Sequence, residues 1–102
     1  MDYHADVLAI DPDRVNLCAL RHCFHHAGVE ARLARSAADA EKSARERTPG
    51  VALVSLALGK DEAVGLIRAF RREYATSRLP ILVLAEEGQE SLVAETLQVG
   101  AS

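Results

Sequence analysis

This 102-residue chain has no apolar run near the roughly 20 residues a helix needs to span a bilayer, so no membrane segment is expected. No basic segment precedes the apolar stretch of "MDYHADVLAI" either, so a secretory signal is not expected and a cytoplasmic location is. Cysteine is scarce. Cys18 and Cys23 are the only two, and their spacing turns them about 140° apart on a helix, which prevents their pairing and fits a reducing compartment. Positive charge is not in excess: a net charge of -3 lacks the basic balance that phosphate backbones select, which argues against nucleic acid as a partner. Glycine is missing from "AIDPDRVN", the stretch that leaves the first apolar segment, so no mononucleotide or dinucleotide cradle is expected there.

What is present is enough for one core. Hydrophobic residues make up 49% of the chain and charged ones 26%, the balance of a single globular domain. "ADVLAI", residues 5–10, is nearly continuous in apolar residues and predicts a strand buried on both faces. Asp11 and Asp13 bracket Pro12, and either acid can cap the helix that follows. Over residues 14–27, Val15, Ala19, Leu20, Cys23, Phe24 and Ala27 recur at helical steps and predict an amphipathic helix closed by Gly28. "VEARLAR", 29–35, reads as a second strand, and Ser36 with Asp39 as the cap of a second helix reaching about Arg47. After the turn "RTPG", residues 51–56 form a third buried strand. Asp61 in "LGKDEA" is the expected cap of a third helix through "AVGLIRAFRREY", with Val64, Ile67 and either Phe70 or Leu66 facing inward. Pro80 introduces "ILVLA", 81–85, as a fourth buried strand, and "GQESLVAETLQVG" as a fourth helix stopped by Gly100. Strict β-α alternation implies a parallel sheet with right-handed crossovers and helices on both faces. In such a sheet chemistry collects beyond the carboxyl ends of the strands, in the loops that begin at Asp11, Ser55 and Ala85.

The residues at these strand ends carry a resemblance. "VLAIDPD", the stretch from Asp11 to "HAG" at Gly28, "TPGVALVSLAL", and "LPILVLAEEG" with "LQVGAS" together resemble the receiver domain of bacterial response regulators over almost the whole chain. The resemblance implies a flavodoxin-like fold with strand order 2-1-3-4-5. It also implies a site: an acidic pair after strand 1 holding Mg²⁺, an Asp ending strand 3 that takes a phosphoryl group, a Ser or Thr ending strand 4, and a Lys ending strand 5. Carried over position by position, that site is depleted. Asp11 matches the first acid, but Pro12 stands where the second belongs. Ser55 stands at the phospho-acceptor position, Ala85 stands at the switch hydroxyl, and the sequence stops before the Lys.

Asp13 reads as a helix cap and Ser55 as a small polar residue satisfied by backbone or water. A nucleophilic serine needs a neighbouring base, and the histidines lie elsewhere: His4 before strand 1, and His22, His25 and His26 along the outer part of helix 1. No catalytic residue, metal or cofactor is therefore expected. The expected function is that of a non-phosphorylatable signalling domain acting through a protein partner or a flanking output domain. The alternative is a small-ligand or enzymatic domain using Asp11, Ser55 and Glu86, with Glu87 adding charge nearby.

Three further features bear on partners. In "LCALRHCFHH", Cys18, His22 and His25 or His26 fall within about a 100° arc of one helix, a spacing from which zinc ligands can be drawn, although a solvated face is the simpler reading. Arg68, Arg71, Arg72 and Arg78 make a local basic patch, expected to pair with the acids Asp39, Glu41 and Glu46 of helix 2. The resemblance also implies a fifth strand and helix that residues 1–102 do not include. The expected sheet is then 2-1-3-4, with strand 4 at an exposed edge beside an uncovered face, and the chain is expected to self-associate or to swap an element with a neighbour.

Overall fold

In the computed structural model, which describes residues 6–102, β1 (Asp6–Ile10), β2 (Glu30–Ala34), β3 (Val51–Ser55) and β4 (Ile81–Leu84) alternate with α1 (Arg14–His26), α2 (Ala37–Glu46), α3 (Lys60–Glu73) and α4 (Glu90–Val99). His4 and Ala5 lie outside the described residues. All strand pairs are parallel, as the alternation implies, and the order is β2-β1-β3-β4, as the resemblance implies. β1 is central, with Val7 opposite Ala31 on one side and Val51 on the other. Its side chains alternate between two layers. Leu8 and Ile10 join Val54, Leu56, Leu66, Ile67, Phe70 and Ile81 in the main core, under α2, α3 and α4. Val7 and Ala9 are buried on the opposite face, where α1 lies.

Local chemistry sets most of the element ends. Asp13 caps α1 by accepting from the Val15 N–H at 2.9 Å, and Ser36 caps α2 by accepting from the Asp39 N–H at 3.2 Å. α3 begins earlier than expected, at Lys60, and Asp61 is not its cap. Gly59, at φ +93°, supplies the turn that lets the chain leave a short 3-10 segment (Leu56–Leu58) and re-enter a helix at once. Asp61 and Glu62 instead lie in the first turn of α3, where negative charge meets exposed N–H groups. Glu62 reaches across to accept from the Ala37 N–H of α2 at 2.9 Å.

Two expectations about burial are corrected. Of the α1 residues expected to face inward, Leu20 and Phe24 are only half-buried, while Ala19, Cys23 and Ala27 are exposed and Val15 is 75% exposed. Leu17 is the helix's one fully buried residue. The cause is tertiary: α1 packs on β1 and β2 with no helix beside it among the described residues, so one flank of its stripe meets solvent. Likewise β4 is buried on one face only. Ile81 is covered, but Leu82 and Leu84 are 48% and 38% exposed on the α1 side.

The amino ends of the strands are held by charge. The Asp6 carboxylate accepts from Arg32 Nε and Nη2 at 3.4 and 3.1 Å, and Arg32 Nη1 donates to the Ser43 carbonyl and hydroxyl, each at 2.9 Å. One half-buried guanidinium thus ties β1, β2 and α2 together. Arg47, paired with Glu30 at 3.1 Å and Asp6 at 3.4 Å, has its affinity for a proton raised, first by the hydrogen bond to Glu30 and then by the charge of Asp6.

Candidate functional site

The carboxyl ends of β1, β3 and β4 converge on a cleft of about 330 Å³. Asp11 follows β1 directly, its N–H donating to the Ala34 carbonyl at 3.0 Å, and its side chain is 2% exposed. One carboxylate oxygen accepts from the Asp13 N–H at 2.9 Å and the other from Asn16 Nδ2 at 3.5 Å. Ser55 ends β3 at 6% exposure, and its Oγ accepts from the Ala57 N–H at 3.2 Å, closing the turn that follows. Beyond β4, Ala85 and Glu86 form the far wall, and the Glu86 N–H donates to Gln89 Oε1 at 2.8 Å. Ala19 and Leu20 of α1 with Leu84 of β4 make the apolar side.

The fold therefore brings Asp11, Ser55, Ala85 and Glu86 to one place and leaves Asp13, Pro12 and Glu87 out of it. Asp13 is turned to its capping role, and the Pro12 carbonyl accepts from Arg35 Nε and Nη2 at 3.4 and 3.3 Å. The lining contains two carboxylates, two amides and one hydroxyl, with no Lys, Arg or His. Ser55 thus has no His or Lys within the cleft to activate it, and Asp11 has amide donors but no cation.

Mg²⁺, which this type of site holds in the family the sequence resembles, asks for several oxygen ligands in near-octahedral array. The residues present do not fit it. Asp11 is the one buried carboxylate, Pro12 offers no side-chain oxygen in the adjoining place, and Glu86 lies on the exposed rim. Among the described residues no three His, Cys, Asp or Glu side chains converge on a point where an ion could sit, and this includes the Cys18, His22, His25 and His26 group of α1.

Asn16 and Gln89, which hold the walls of the cleft, carry no signal in the sequence, because their partners are set by loop geometry. Arg71 does carry one. It stands four residues after the buried Ile67, on the inner half of α3, and it is half-buried rather than part of a surface patch. Its Nε donates to the Gly100 carbonyl at 2.7 Å, and its Nη1 to those of Leu79 and Tyr74 at 2.7 and 3.3 Å. Nη2 is buried without a partner, and burial pulls the proton affinity of the guanidinium below its ordinary range. The expected ion pairs from the α3 arginines to Asp39, Glu41 and Glu46 are not formed among the described residues. Arg68, Arg72 and Arg78 are exposed.

A doubly wound α/β domain with an acidic cleft at the strand carboxyl ends belongs to the flavodoxin-like class. Within that class, the model of the response regulator receiver domain matches residues 7–102, and the chain belongs to this family of signalling modules. Solved structures agree on the fold. A response regulator from Thermotoga maritima superposes with a TM-score of 0.83 at 21% identity, covering 97% of this chain and 81% of that one. The chemotaxis protein CheY4 of Vibrio cholerae gives 0.87 at 24% identity, covering 98% and 83%. NtrX of Brucella abortus, in complex with ADP, gives 0.87 at 19% identity over 98% of this chain, which spans 22% of NtrX. A curated relative, the imidazole glycerol phosphate synthase subunit HisH of Xanthomonas axonopodis pv. citri, is 36% identical over 66 residues, 65% of this chain and 33% of that protein. No described helix is long and apolar enough to cross a membrane.

Proposed function

We propose that this receiver domain takes no phosphoryl group and signals in the cytoplasm through contact with a protein partner or a flanking output domain. The observation that carries the reading is Ser55: a hydroxyl stands at the end of β3, where the family resemblance places the accepting carboxylate, and it is occupied with the Ala57 N–H. Phosphoryl transfer to a carboxylate needs a cation to draw charge off the transferring oxygens. Asp11 with Pro12 beside it is a poor holder of that cation, and Ala85 lacks the hydroxyl that would follow the phosphoryl group. Asp11, Ser55 and Ala85 then line a retired acceptor pocket whose present work is structural, while Pro12 and Asp13, which follow Asp11 in the chain, stand outside it. The contact surface is the α4 side, as the family resemblance implies, and Leu97 stands 49% exposed there.

Incubation with a small acyl phosphate and Mg²⁺, followed by intact-mass analysis, tests this. The expected result is an unchanged mass; a stable adduct of one phosphoryl group overturns the reading. A second reading rests on the cleft itself, which gathers Asp11, Ser55 and Glu86 around about 330 Å³ with an apolar wall, a size that takes a small cationic or amide-bearing ligand.

A further inference from the structure

Outside the cleft, the densest group of chemically active side chains lies on α1. Taking Cys18 as the reference direction, about 100° per residue puts His22 roughly 40° to one side and His25 about 20° to the other, with Val15 and His26 beyond His22. All five are exposed, and Val15 at 75% is the most exposed of the large hydrophobics. Cys18, His22 and His25 line one shallow depression with Arg21, and the rings of His22 and His26 meet edge to face with centroids 4.5 Å apart. The helix already fixes the spacing of Cys18 and His22, one turn apart, so a metal ion gains two ligands without ordering a loop.

Two ligands do not fill a zinc shell, and no third converges within the chain among the described residues. Meanwhile the same face carries an apolar residue that nothing covers. A single arrangement answers both facts. We propose that the outer face of α1 is a zinc-dependent contact between two copies of this chain, with Cys18 and His22 of each copy completing one tetrahedral Cys₂His₂ site. A twofold axis through the ion crosses the two helices, places Val15 of each copy at the margin of the contact, and brings four ligands of the kind zinc selects. As each Zn–S bond forms, the thiol releases its proton to solvent, and the imidazoles bind as neutral rings.

The test uses the full chain, and in parallel a Leu84→Glu background that disrupts any contact through the separate β4 face. Zinc titration with mass measured by sedimentation is expected to double the mass at one ion per two chains. Cobalt(II) in its place is expected to give the thiolate charge-transfer absorption of a tetrahedral sulfur-bearing site. Cys18→Ser and His22→Ala, both at exposed positions, are expected to remove the doubling and to weaken zinc binding by roughly tenfold or more. Cys23→Ser, on a different flank of the helix, is expected to leave both unchanged. Zinc bound without a change in mass, or Cys18→Ser keeping the cobalt absorption and the doubled mass, overturns the proposal.

Discussion

Ser55 Oγ accepts from an N–H two residues on, and that bond holds the first turn after β3. A Ser55→Asp variant separates this capping role from the lost chemistry, because aspartate keeps a capping oxygen while placing another carboxylate directly beside Asp11 in the cleft. With no cation in the lining, the two charges repel. The variant is expected to lose about 1–2 kcal/mol of stability at neutral pH in a chelator. Because the added acid supplies hard oxygen ligands, millimolar Mg²⁺ is expected to return part of the loss. Denaturant unfolding with and without Mg²⁺ measures both, and unchanged stability in chelator would refute the repulsion. At this scale the legible residues are those whose partners are near in sequence. Asp13, Ser36 and Ser55 each satisfy an N–H within three residues, so their roles follow from position alone. Arg71 and Arg32 find carbonyls or carboxylates far along the chain, and the sequence has no means of marking those partners.

Among the elements, α4 ends by a device that depends on one glycine. Gly100 sits at φ +130°, and a β-carbon there would collide with Cγ of Arg71, the side chain that binds the Gly100 carbonyl. Gly100→Ala combines backbone strain with loss of that bond. The expected cost is roughly 2–4 kcal/mol, seen as a lowered thermal midpoint with native-like secondary structure. A midpoint within a degree or two of the parent would show that the α4 end and Arg71 relax freely. Gly100 was readable as a helix stop, whereas its packing against Arg71 was not. The α1 stripe shows the converse. Its periodicity correctly predicts a helix, but burial of the stripe needs neighbours on both flanks, and periodicity says nothing of whether they are there.

Taken whole, the molecule has unequal faces. Among the described residues three helices close over one side of the sheet and one lies on the other, beside exposed Leu82 and Leu84. Strand number and direction were legible from the alternation of strand and helix, and strand order from the family resemblance carried by the strand ends. The domain's position in its family was legible from the strand ends. If the open face drives self-association, Leu84→Glu is expected to lower the apparent mass in sedimentation at high protein concentration without loss of fold. A mass that does not respond places any association elsewhere.

The backbone of β4 has less to offer such a contact than its side chains do. Ser102 donates its N–H to the Ile81 carbonyl at 2.7 Å, and its hydroxyl accepts from the Ile81 N–H at 3.1 Å. In a parallel ladder alternate residues point their backbone groups to the same side, so with Ile81 satisfied and Leu82 and Leu84 turned toward β3, only Val83 within β4 still offers a free pair outward. A strand arriving from another molecule would find one residue to grip. An edge with so few free backbone groups gives little purchase to the cross-strand stacking that seeds fibrils, and a contact made here would rest on the leucine side chains rather than on a shared ladder.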